Sequence, residues 1–152
     1  MMLMRFAFAC ALAVAVVHAG PAIAQKNQKD HAHGKESHFK VTPPADIKAA
    51  WALITTKISE AEKSIAAKQL DPIHEIGEHI EAAVQVLEEK STMVSGDKKT
   101  RLTSTLKQLD KAVDEFHHAA EEKDASKVGL GLSKIKGLLP LIQAQYPSGT
   151  LN

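Results

Sequence analysis

Asp71-Pro72-Ile73-His74-Glu75-Ile76-Gly77-Glu78-His79-Ile80-Glu81 is the stretch whose reading decides the fold. A proline beside an acidic residue marks a helix start: the missing N–H falls where no intrahelical bond exists, and Asp71 is placed to cap the first turn. From there Ile73, Ile76, Ile80, Val84 and Leu87 recur at spacings of three and four, so one apolar stripe runs along a helix to about Lys90. At about 100° per residue, His74, Glu78 and Glu81 fall on one edge of that stripe, and Glu75 and His79 on the other. The two histidines diverge, and this helix alone does not bring them to one metal ion.

Working outward, the same periodicity appears three more times. Upstream, Ile47, Trp51, Ile54, Ile58, Ala61 and Ile65 mark a helix over 46–67 that follows Pro43-Pro44, with Lys68-Gln69-Leu70 as the turn. Downstream, a loop containing Met93 and Gly96-Asp97 leads to a helix over 98–122 with Leu102, Leu106, Leu109, Val113, Phe116 and Ala120 on one face. Met93 reads as a hydrophobe that anchors this loop. Asp124 then caps a fourth helix over 125–146, in which Val128, Leu132, Ile135, Leu139, Ile142 and Tyr146 face inward. Pro140 should bend that helix, and Gly129, Gly131 and Gly137 offer places for a neighbouring helix to come close. Four amphipathic helices with short connections predict an all-α, antiparallel up-down-up-down four-helix bundle over 46–147, with 148–152 as a C-terminal tail.

That topology carries the sharpest geometric expectation. The hairpin between the second and third helices reverses near Ser95, and His74 and His117 lie about equally far from the reversal. They should therefore meet at one end of the bundle. His74, Glu78, Asp114 and His117 form a candidate site with two histidines and two carboxylates, suited to Zn(II), Cu(II) or Ni(II), and His118 replaces one member if the third helix is rotated. Glu121 lies one turn beyond His117, and His79 marks a secondary surface position. A ferritin-like di-iron site is not expected, since the fourth helix has no acid after its cap; nor is a hemerythrin-like site, since helices one and four have no histidine.

Residues 1–24 have the layout of a secretory signal: Arg5, an apolar run from Phe6 to Val17, and Ala22-Ile23-Ala24 as a cleavage site. The run is shorter than the ~20 residues of a membrane span. A periplasmic or secreted product beginning near Gln25 is expected. Residues 25–45 read as a flexible polar tail whose His31, His33 and His38 can capture a divalent metal. The single cysteine, Cys10, lies within the signal, so a thiolate metal site, a disulfide and a C-x-x-C-H haem attachment are all excluded from the mature chain. Acidic and basic residues nearly balance, and no basic patch with interleaved aromatics points to nucleic acid.

In helix order, and notably over Lys111 to Tyr146 with its Glu122-Lys123-Asp124-Ala125 turn, the chain resembles the cytochrome b562 and cytochrome c-prime bundles. That resemblance implies haem, but a first-helix methionine and a fourth-helix histidine are both missing, so haem is not expected. Ile73-His74-Glu75-Ile76 followed by Ile80-Glu81-Ala82-Ala83 is also similar to the second-helix motif of a family of small exported bacterial helical-bundle proteins. The likeness covers about one helix; it implies the fold and export, and it points to His74 and Glu75.

Two functions follow as expectations. One is a periplasmic metal-binding or metal-buffering bundle. The other is a metal-free structural or interaction bundle, acting through a homodimer contact at Leu130, Gly137 and Leu141 or through a protein partner in the envelope. Catalysis is not expected, because no Ser/His/Asp set, thiol nucleophile or phosphate-cradling loop is present.

Overall fold

The computed structural model describes residues 40–152. The expected signal at 1–24, most of the expected tail at 25–45, and with it His31, His33 and His38, lie outside the described residues. Four helices follow in order: α1, Ile47–Ala66; α2, Asp71–Lys90; α3, Gly96–Glu121; and α4, Ala125–Gln143. They form an all-α, antiparallel four-helix bundle in which α2 packs on α1 and α3, and α3 packs on α4. The seam between α1 and α4 is the loosest of the four, and a Lys136–Glu62 ion pair bridges it. None of the described helices is long and apolar enough to cross a membrane.

Capping explains where two helices begin. Asp46, in extended conformation, accepts a hydrogen bond from the Ala49 N–H at 2.8 Å, and Asp124 accepts one from the Lys127 N–H at 3.0 Å. Asp71 behaves otherwise. Leu70 is already in the right-handed helical region, so α2 starts one residue earlier than the proline pattern predicts, and Asp71 falls in the first turn instead of capping it. There its carboxylate favours the helix dipole and pairs with Lys123 at 3.2 Å. α3 likewise begins at Gly96 and not Lys98, which leaves Ser91 to Ser95 as the connection. Met93 stays 48% exposed in this loop while its neighbour Val94 enters the core.

The apolar stripes meet in a single core. Ile54 on α1, Ile73, Ile80 and Leu87 on α2, Leu102, Leu106, Leu109 and Phe116 on α3, and Ile135 and Ile142 on α4 are completely buried or nearly so. Past the end of α4, Tyr146 and Leu151 turn back into the core, so burial continues into the last residues of the chain. The Tyr146 hydroxyl meets the buried Ser91 hydroxyl, which itself donates to the Leu87 carbonyl. This polar node closes the end of the bundle opposite the histidines, and burial pushes the Tyr146 phenol up. Of the three α4 glycines, only Gly131 serves a close approach: a Cβ there would lie 3.0 Å from the Phe116 Cβ and 3.1 Å from its Cα.

Candidate metal centre

The first turns of α2 and the last turns of α3 lie side by side, because the α2–α3 hairpin reverses at the far end. His74 and His117 accordingly come together, with ring centroids 5.4 Å apart, and His118 follows with its ring 4.5 Å from that of His117. Asp114, His117 and His118 each place one ligand atom within 4.8 Å of the others. All three are on α3, in the order D-x-x-H-H, where spacings of three and four put them on one flank of the helix.

His117 owes its position to a glycine. A Cβ on Gly77 of α2 would lie 2.5 Å from the His117 Cβ and 3.5 Å from its Nδ1, so the ring occupies space that any other residue at 77 would fill. This seat leaves His117 only 8% exposed, and its Nδ1 has no hydrogen-bond partner among the described residues. Burial is the main cause that lowers the His117 pKa, with the neighbouring His118 acting the same way; the Asp114 and Glu121 carboxylates oppose them. His117 is therefore neutral at pH 7, and a neutral imidazole has the lone pair that a metal ion takes.

Glu121 organises the other two rings. One carboxylate oxygen lies 2.7 Å from His118 Nδ1, and the other lies 2.9 Å from His74 Nδ1. The hydrogen bond from His118, chiefly, holds the Glu121 carboxyl below its ordinary range, so it is ionised and acts only as an acceptor. With Nδ1 turned to Glu121, His118 presents Nε2 toward Asp114 Oδ1, 3.4 Å away. A proton on Nε2 or a metal ion can bridge this pair. An ion with bonds of about 2.05 Å and a tetrahedral angle spans about 3.3 Å between two donors, which matches this gap.

The remaining candidates fall outside that triad. His74 is half-buried beside it, but its two ring nitrogens face Glu121 and, at 3.4 Å, Glu78. Glu78 is 6% exposed and lies on the His74 side, so the structure does not gather it with Asp114 and His117. His79 pairs loosely with Glu75 at 3.7 Å on the opposite edge of α2, as the helical phase predicts. The roles of Glu121 and Gly77 go beyond what the sequence reading assigned. Two signals mark them: the i, i+3 spacing of His118 to Glu121, and a glycine kept inside a helix at a cost of about 1 kcal/mol against alanine. Comparison with protein-family models, curated proteins and solved structures finds no match to this chain.

The lowered His117 pKa has a consequence for stability. The unfolded chain takes up a proton near pH 6.5, whereas folded His117 resists it, so between its lowered folded value and about 6.5 the unfolded state binds more protons. Stability from this residue is complete above that window and is lost as pH falls through it. With a chelator present, the urea midpoint is expected to drop between pH 7 and pH 5.5, and to drop less in His117→Leu. Urea titrations of the two proteins at both pH values check this.

Proposed function

We propose that the protein is an exported, periplasmic metal-binding and metal-buffering bundle that holds a divalent transition ion, Zn(II), Cu(II) or Ni(II), at Asp114, His117 and His118. The observation that carries the proposal is the convergence of these three donors within 4.8 Å. Two imidazoles and a carboxylate suit these ions, and the soft sulfur ligands that select Cu(I) are lacking there. Glu121 supports the set from outside, fixing the tautomer and orientation of His118 as carboxylates commonly do for metal-bound histidines. His74 is a neighbour that can exchange into the set. The signal-like sequence at 1–24 supports export, and His31, His33 and His38 supply a second capture locus in this reading. Asp46, where that segment meets α1, is separated from the histidine end by a 20-residue helix, or about 30 Å.

Calorimetric titration with Zn(II), Cu(II) and Ni(II) tests the proposal on the mature chain, on a chain lacking 25–39, and on Glu121→Gln. The truncated chain is expected to keep one site. Glu121→Gln is expected to weaken that site by about 10- to 100-fold, with little change in stability because Glu121 is more than one-third exposed. Complete loss of binding with the tail would overturn the bundle site. Unchanged affinity in Glu121→Gln would overturn the orienting role.

A second reading rests on α4, where Leu130 is 63% and Leu141 55% exposed. In that reading the outer face of α4 meets a second copy of the chain or an envelope protein, and sedimentation of the metal-free protein distinguishes a dimer from a monomer.

A further inference from the structure

His74 and Glu78 are the two expected ligands that the α3 group leaves out. Glu78 is 6% exposed, and its Oε1 lies 3.4 Å from His74 Nε2. The other nitrogen of the same ring, Nδ1, lies 2.9 Å from Glu121 Oε1, while Glu121 Oε2 lies 2.7 Å from His118 Nδ1. His118 Nε2 in turn faces Asp114. Carboxylates and imidazoles thus alternate in one file, Glu78, His74, Glu121, His118 and Asp114. The file starts on the buried flank of α2 and crosses to α3 at the contact between His74 and Glu121.

A carboxylate orients a metal-bound histidine only as far as it is held in place itself. Glu121 is the last residue of α3 and more than one-third exposed, so its long side chain has several rotamers open to it unless something outside α3 selects one. His74 is in a position to make that selection, since it is half-buried on the neighbouring helix with Glu78 behind it. Resting on the metal-binding reading above, we propose that His74 is a positioning residue for the metal centre. Oriented by Glu78, it donates from Nδ1 to Glu121 and holds that carboxylate where it directs His118 Nε2 at the ion. α2 then serves the α3 donors twice, by seating His117 on Gly77 and by bracing His118 through His74 and Glu121.

Two substitutions separate this role from packing. His74→Asn puts an amide N–H close to where Nδ1 stands and keeps a donor for Glu121, whereas His74→Gln puts its amide near Nε2 and leaves Glu121 without one. Zn(II) affinity is read by NMR at the ring nitrogens of His117 and His118, on the chain from Gln25 onward with a competing chelator, so that ions held elsewhere do not count. His74→Gln is expected to weaken binding about tenfold and His74→Asn to stay within about threefold of the parent. A purely structural role predicts the reverse order, since glutamine fills more of the space and is the better helix former. In a Glu121→Gln background, His74→Gln should cost nothing further. Unchanged affinity in His74→Gln, an equal loss in both variants, or a loss that persists in the Glu121→Gln background would overturn the positioning role while the metal site stands. If the rings of His117 and His118 do not respond to Zn(II) in the parent, the metal reading fails and takes the positioning role with it.

Discussion

Saturating Zn(II) is expected to raise the thermal midpoint of the chain from Gln25 onward by about 10 °C, with no such rise in Asp114→Asn or His118→Ala. An ion that binds only the folded chain, at a free concentration of about 100 times its Kd, stabilises by about 2.7 kcal/mol. For a domain of this size each kcal/mol moves the midpoint by a few degrees, about 4 °C or more. The two substitutions suit the test because Asp114 and His118 are each about 40% exposed. Without metal they should alter stability by no more than about 0.5 kcal/mol. The loss of the shift then reports coordination and not damage. Differential scanning calorimetry with and without Zn(II), on all three proteins, makes the comparison.

The second large effect concerns Gly77. Replacing an interior helical glycine by alanine ordinarily gains about 1 kcal/mol in helix propensity. Here the added Cβ would lie 2.5 Å from the His117 Cβ. A Cβ is fixed by its backbone, so relief requires α2 and α3 to separate or slide, and overpacking of that kind costs about 1 to 3 kcal/mol or more. The steric term outweighs propensity. Gly77→Ala is expected to lose about 2 kcal/mol and, because His117 is displaced, to lose most of its Zn(II) affinity. A double-mutant cycle with His117→Gly separates the two effects: once the opposing Cβ is gone, Gly77→Ala should no longer destabilise, while binding stays lost. A Gly77→Ala protein as stable as the parent, with intact Zn(II) binding, would contradict the account of how His117 is seated.

These two sites also mark the limit of what the sequence reveals. Ile73, Ile76 and Ile80 announce the buried face of α2 because helical phase is a local property, and the bundle follows from four such faces joined by short turns. The meeting of His74 with His117 is equally accessible, since it depends only on hairpin length. What periodicity does not encode is the distance between two helices and their rotation about their own axes. Gly77 sets that distance where His117 meets α2. Asp114, His117 and His118 share a flank of α3 through their i, i+3 and i+4 spacing, as His74 and Glu78 do on α2; what the sequence leaves open is that Glu78 is not drawn into the α3 group. Glu121 is visible in sequence as an i, i+3 partner of His118, but its second oxygen reaches His74 only across the helix interface. Asp71 shows the same limit on a smaller scale, where the conformation of Leu70 moved the helix start and took away its capping role.

The central claim, a divalent ion held by His117 and His118 on α3, is tested most directly by ring-nitrogen NMR of the histidines as one equivalent of Zn(II) is added to the chain from Gln25 onward. The predicted result is large shifts at His117 and His118, with His118 keeping its proton on Nδ1 and binding through Nε2. Shifts confined to His31, His33 and His38, with the rings of α3 unmoved, would contradict it.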